Sequence, residues 1–334
     1  ISFSLGMQGP CCALDAHGAT AWACVEVGFQ ALRNQWKNYK TAIAGCVMLN
    51  LSPIVYVQNC AAGVLSPIGR CCSFDSSAAG YVKSEGASFA CLETEQEGGS
   101  EEEEKPSLGL LCACEIGSLG RAATLGAPNG AAEQAIVAEA LRSAELSPLN
   151  IEVVECFADG DAMSDAIEVS ALARGLRMQD EDRHRPLVAG AVMSNIGFMR
   201  EVAGFAQLLK LLDGLSYGLM NNNLHLHTIN PLIDVGVEES SLLPTEALGC
   251  RLPTNFCGAT SRGLGGTVTH AVVGVAVRES EDLPHVLPQN TLWPPRKEGL
   301  TSWPPKEGEP KQEPKYGVFD PSSWSTRLED TRVE

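Results

Sequence analysis

The stretch Ile151-Glu152-Val153-Val154-Glu155-Cys156-Phe157, then Ala158-Asp159-Gly160-Asp161, then the apolar positions Ile167, Val169, Leu172 and Leu176, changes its hydrophobic period within a few residues. The first seven residues read as a strand, and the later apolar positions recur at helical spacing, marking one buried stripe. Asp165 stands where an N-cap side chain would accept a free backbone N–H of that helix. Leu187 to Val192 reads as the next strand. Strand, helix and strand in that order predict a layered α/β fold, a sheet with covering helices.

The alternation extends in both directions. Upstream, Trp22, Val25, Phe29, Leu32 and Trp36 mark a helix, and Thr41 to Leu49 reads as a strand covered on both faces. Gly86 to Leu92 and Leu108 to Gly117 read as strands and Ala131 to Ala144 as a helix. Downstream, Glu201 to Leu215 reads as a helix and Thr267 to Val277 as a β-branched last strand. The opening, Ile1 to Leu14, reads as strand-like, broken by Gly6, Gly9 and Pro10. Glu93 to Lys105, with Glu101 to Glu104 in a row, reads as a solvated loop, with a regulatory or cation-binding use as the alternative.

After Arg278 the composition shifts: nine of the 19 prolines and three of the five tryptophans lie between Glu279 and Glu334. Trp293-Pro294-Pro295 and Trp303-Pro304-Pro305 nearly repeat, and Trp324 follows. Such a segment is unsuited to helix or central strand, so it is either free or laid as an extended ribbon on a surface. The favoured reading has Trp293, Trp303, Trp324, Pro294 and Pro304 binding the body of the protein or a partner. The expected organisation is 1–118, 119–278 and an extended tail, 279–334.

The chain has 334 residues, 44% of them hydrophobic and 19% charged, enough for a packed interior. With 24 basic and 41 acidic side chains the net charge is −17, which repels phosphate backbones and argues against a nucleic-acid partner. No apolar run approaches the ~18 residues of a membrane span. The 13 cysteines, among them Cys46, Cys91, Cys112 and Cys114, lie largely in apolar stretches and read as mostly buried thiols in a reducing compartment. No C-x-x-C exists, which argues against a zinc site. The chain starts at Ile1 without a basic-then-apolar leader, so it is expected to be processed or to begin within a longer protein; a plastid or mitochondrion reached after processing fits the first case.

Several ordered segments resemble the β-ketoacyl synthase branch of the thiolase superfamily. They are Gly9 through Asp15 with the following helix; Leu65-Ser66-Pro67 through Gly69-Arg70-Cys71 with Phe74-Asp75; and Gly80-Tyr81-Val82-Lys83-Ser84-Glu85-Gly86. Ala127-Pro128-Asn129-Gly130, Asp165 with Ile167-Glu168-Val169, Ser194-Asn195-Ile196-Gly197, Asn223-Leu224-His225-Leu226 and Gly263-Leu264-Gly265-Gly266-Thr267 continue the series. The likeness covers about residues 1 to 277 and implies the thiolase-like layered α/β/α/β/α fold. In this family a substantial segment precedes the nucleophile, so the amino-terminal half is expected to be incomplete, with a sheet edge left open.

The resemblance implies a cysteine at a helix start, activated by the helix dipole, and two histidines that assist decarboxylation and stabilise an enolate oxygen. Laid on this sequence, the cysteine position falls on Gly18, the histidines on Phe157 and Phe198, and the family lysine on Met193. None of these side chains can act as nucleophile or proton carrier. His17, Thr20, Cys24, Asp159 and His270 are weighed as substitutes, with His17 read as packed or capping and His270 as structural. Leu264 and Arg262 stand where the family has a channel aromatic and its neighbour. The expectation is therefore a protein that is not an enzyme, needs no cofactor or metal, and is a structural or interaction subunit of a larger complex. The alternative is a chain-length-factor-like partner of an active ketosynthase in fatty-acid or polyketide synthesis. Expected partners are other protein subunits, including a ketosynthase-like chain or an upstream fragment that completes the sheet.

Overall fold

Asp161, not Asp165, caps the helix that follows the first strand: its Oδ1 accepts the Ser164 N–H at 2.8 Å. The helix therefore starts earlier than the sequence suggested, and Asp165 falls in its first turn, buried, accepting the Phe74 N–H at 3.1 Å. This arrangement is seen in a computed structural model that describes residues 2–34, 39–94, 107–122, 124, 126–177, 185–233, 241–249 and 254–275. The acidic run from Glu101 to Glu104, Trp36, and the segment with Trp293, Pro294, Trp303, Pro304 and Trp324 lie outside the described residues.

In chain order the first elements are α1 (Ser2–Leu5), α2 (Thr20–Arg33), β1 (Thr41–Met48), α3 (Pro53–Ala61), β2 (Gly86–Glu93) and β3 (Gly109–Ser118). Then come α4 (Gly130–Ser143), β4 (Ile151–Glu155), α5 (Ala162–Arg177), β5 (Leu187–Gly190), α6 (Val192–Ile196) and α7 (Ala203–Ser216). The last are β6 (Leu219–Met220), β7 (Ser241–Leu242), β8 (Leu248–Gly249), β9 (Phe256–Arg262) and β10 (Thr267–Val275). The opening is not a strand. It forms the single turn α1 and an exposed irregular segment, because Gly6, Gly9 and Pro10 interrupt it and no strand among the described residues pairs with it.

Six strands form the main sheet in the order β3-β10-β9-β4-β5-β7. β10 is antiparallel to both β3 and β9, whereas β9, β4, β5 and β7 run parallel. Of the parallel strands, β9, β4 and β5 are buried on both faces, so β4 and β5 read as nearly continuous apolar runs, while β7 at the edge is partly exposed. Helices α4 and α5 cover one face through Val137, Leu141, Val169, Leu172 and Leu176. Helices α2 and α7 cover the other through Trp22, Val25, Phe205, Leu211 and Leu215. Beyond them lies the antiparallel ribbon β1–β2, whose Ala44, Cys46 and Met48 complete that second core. The layered α/β architecture implied by the resemblance is present. Strand β3, counted by sequence with the first half, pairs in the six-stranded sheet of the second.

A buried amide ties these layers together. Gln207 on α7 accepts hydrogen bonds from Trp22 Nε1 (2.9 Å) and Ser261 Oγ (2.8 Å), and donates to the Thr260 carbonyl (2.7 Å) and the Cys156 carbonyl (3.0 Å). One side chain thereby satisfies groups from α2, β9 and the end of β4, where an unpaired polar group would cost about 1–3 kcal/mol.

Strand β1 is not covered on both faces. Its register opposes Ile43 to Cys91, Gly45 to Phe89 and Val47 to Ala87, so one face of the ribbon is apolar over these three pairs, with the polar pair Thr41 and Glu93 at its end. On it Ile43, Val47 and Phe89 are 41%, 50% and 54% exposed. The sequence reading failed because a continuous apolar run does not show that its second face lacks a neighbour. Cys91 lies on this face and is exposed rather than buried, as are Cys11, Cys12 and Cys60.

Candidate functional site

The three aligned positions converge. Gly18 lies in the turn His17–Ala19 that opens α2, Phe157 follows β4, and Phe198 follows α6. Phe157 and Phe198 meet edge to face with centroids 5.3 Å apart, and Tyr81 meets Phe198 edge to face at 4.8 Å. Met193, Val192, Cys71, Ala203 and Ala206 complete the apolar cluster around them. A Cβ on Gly18 would stand 2.5 Å from Phe157 Cε2 and 2.4 Å from the Arg262 carbonyl oxygen. Glycine at 18 and phenylalanine at 157 thus form one steric unit.

The turn that presents Phe157 is held by a carboxylate. Glu168 on α5 accepts the Phe157 N–H at 2.7 Å and the Ala158 N–H at 3.0 Å, with Ala158 at φ 30°. The Arg262 guanidinium approaches Glu168 and Glu133 at 3.5 Å each and lies 5.4 Å from the Phe157 ring centroid. One buried cation therefore serves two buried carboxylates and caps an aromatic face. Burial raises Glu133 to about 7 and Asp159 to about 6, against the attraction of Arg262, and it raises Asp165 as well.

The proposed substitutes separate into distinct surroundings. Thr20 Oγ1 donates to the His17 carbonyl at 2.7 Å and accepts the Ala16 N–H at 2.9 Å, so its hydroxyl is engaged in the helix start. His270 is buried, hydrogen-bonds Thr260 Oγ1 through Nδ1 at 2.9 Å, and is lowered to about 4 by burial. Cys24 sits further along α2, facing Cys46. His17 meets the ring cluster 5.9 Å from Phe198 and takes the left-handed φ of 55°, and the Asp159 charge acts on Tyr81 and Cys71 of the same cluster. Arg262 is buried, while Leu264 is 58% exposed in the turn between β9 and β10.

Sequence reasoning missed the grouping of Arg262 with Glu133 and Glu168. A signal was present: Glu133 precedes Val137, Ala140 and Leu141 on the buried stripe of α4, and Glu168 stands among Asp165, Val169 and Leu172 on that of α5. An acid on a buried stripe requires a partner.

Residues 1–98 match the family model of the β-ketoacyl synthase N-terminal domain, and residues 108–227 that of the β-ketoacyl synthase C-terminal domain. The chain is 32% identical over 278 residues to a phenolphthiocerol/phthiocerol polyketide synthase protein of Mycobacterium tuberculosis, covering 82% of this chain and 14% of that protein. It is 30% identical over 292 residues to another component of the phenolphthiocerol/phthiocerol polyketide synthase, from Mycobacterium bovis, covering 86% of this chain and 16% of the relative. Among solved structures, the oxazolomycin ketosynthase domain OzmH KS7 of Streptomyces albus JA3453 superposes with a TM-score of 0.76 at 26% identity, over 83% of this chain and 48% of that one. The ketosynthase from module 6 of the bacillaene synthase of Bacillus subtilis 168 gives 0.75 at 27%, over 81% and 49%. The chain spans about half the length of these ketosynthases and a smaller share of the curated relatives.

These matches correct the expectation that the chain is not an enzyme. The relatives are polyketide synthase components and ketosynthases, which are enzymes, and replaced side chains at Gly18, Phe157, Phe198 and Met193 do not establish that activity is lost. That expectation equated a few aligned positions with the whole site. With both halves of the family model matched in order and the layered fold in place, the chain belongs to the β-ketoacyl synthase family of the thiolase superfamily.

Proposed function

We propose that the chain serves as a ketosynthase-type component of a larger assembly that builds acyl chains, docking on a second ketosynthase-fold chain through the bare face of the β1–β2 ribbon. The observation that carries this reading is the row Ile43, Val47 and Phe89, exposed on a ribbon of only two strands among the described residues. A two-stranded ribbon is marginally stable alone, and a contiguous row of exposed apolar side chains on its face marks an interaction surface. Helix α3 beside it in sequence buries no residue and exposes Ile54 and Val57. The relatives' work in polyketide synthases supplies the chemical setting. The test is native mass spectrometry of the purified chain with a polyketide-type ketosynthase and its carrier protein. A complex that forms, and that a Val47→Lys, Phe89→Lys variant of unchanged circular dichroism fails to form, is the expected outcome. A chain that stays alone overturns the reading.

His17 favours a second reading, thioester chemistry by the chain itself. Its Nδ1 is buried beside Phe198 without a hydrogen-bond partner among the described residues, and burial with the nearby Arg200 charge holds it below the usual histidine value, so it is neutral near pH 7. A neutral imidazole can take up a proton. Malonyl-thioester decarboxylation that disappears in His17→Ala supports this, and its absence from both proteins discards it.

A further inference from the structure

Where α2 crosses β1, two thiols face each other. Cys46 Sγ donates to Cys24 Sγ at 4.0 Å, with Cys46 buried in the core of the ribbon and Cys24 half-buried on the helix. Other buried thiols are engaged differently: Cys114 faces the Trp22 carbonyl at 3.5 Å and Cys257 the Val273 carbonyl at 3.3 Å. Closing the Cys24–Cys46 gap to the ~2.05 Å of a disulfide requires an approach of about 2 Å between two side chains that already meet.

We propose that Cys24 and Cys46 are a modification site, a dithiol that closes to a disulfide by exchange with a low-molecular-weight disulfide and staples α2 to β1. The step begins with the Cys24 thiolate attacking one sulfur of R–S–S–R, forming a mixed disulfide and releasing RS⁻, which takes up a proton. Cys46 then loses its proton and attacks the Cys24 sulfur, releasing the second thiol. Two protein thiols are oxidised and one small disulfide is reduced to two RSH. The order follows from the surroundings. The hydrogen bond from Cys46 lowers Cys24, and Cys24 is the more accessible of the two; the same bond, burial and the Glu201 charge all raise Cys46. The attacking thiol is thus on the helix and the resolving thiol in the ribbon.

The staple closes a loop across residues 24 to 46, and the helix it anchors begins at the turn that carries Gly18. The test equilibrates the full native chain with mixtures of oxidised and reduced glutathione, blocks free thiols by alkylation, and maps linked peptides by fragment mass spectrometry. A Cys24–Cys46 link that forms in the native chain, but not when the chain is unfolded in urea before oxidation, is expected, together with a thermal midpoint raised by about 5 °C or more. In Cys46→Ser the reaction should stop at a glutathione adduct on Cys24. A wild-type chain in which Cys24 keeps glutathione while Cys46 remains alkylatable after unfolding overturns the proposal, and so does one in which both stay reduced while exposed Cys60 and Cys91 react. The mapping is made on the unsubstituted protein, so the result does not depend on a variant folding.

Discussion

Gly18 is fixed by contact rather than by conformational freedom. The Phe157 ring and the Arg262 carbonyl occupy the space a methyl group would need. Gly18→Ala should destabilise the fold by about 1–3 kcal/mol through overpacking, read as a lowered denaturation midpoint, and Phe157→Ala in the same chain should relieve part of that loss. Arg262 is a second pressure point. Arg262→Leu leaves Glu133 and Glu168 buried without their cation, and breaking such a pair costs about 3–5 kcal/mol. Glu133 also sets a pH dependence. Its folded value of about 7 lies above the ordinary glutamate value of 4.5, so between those values the folded state holds more protons than the unfolded one. Its contribution is therefore complete below pH ~4.5 and declines as pH rises toward ~7. Urea midpoints measured across that interval should fall with pH, and the fall should be shallower in Glu133→Gln; an unchanged slope would count against this role.

At the scale of elements, periodicity sufficed wherever an element is held by its own stripe. Strands β2, β3, β4, β5 and β10 and helices α2, α4, α5 and α7 stand close to where apolar spacing put them. It failed where a neighbour decides. The first residues pair with no strand among the described residues, β1 shows a face whose covering no sequence pattern reports, and the cap of α5 fell to Asp161 because Asp165 is drawn inward to the Phe74 N–H. The convergence of Gly18, Phe157 and Phe198 was legible from ordered motifs. The Arg262 grouping was not, since its members lie on β9, α4 and α5 and meet only when the sheet is assembled. Gln207 is the matching joint on the other face of the sheet. Gln207→Leu removes the acceptor for Trp22 Nε1 and Ser261 Oγ and should lower stability by about 2–4 kcal/mol, with the loss visible as earlier hydrogen exchange in both α2 and β9.

For the whole molecule, the six-stranded sheet is covered by helices on both faces, whereas the β1–β2 ribbon is covered on one side only. The docking reading belongs to this scale, because no single residue specifies it. Its signature is a concentration-dependent mass: substitution of Val47 and Phe89 by lysine should keep the fold, at a loss of about 1 kcal/mol as the Phe89 ring leaves Gly45, while abolishing association with a ketosynthase partner.

The clash geometry at Gly18 also implies an order of events in descent. A side chain at 18 needs both a smaller or displaced group at 157 and a shift of the Arg262 carbonyl, and a large ring placed as Phe157 is can be accommodated only beside a bare 18. The two positions act as a ratchet: homologues carrying any bulk at 18 should show a smaller or differently placed group at 157, and lineages that crossed between the states should have changed 157 first in one direction and 18 first in the other.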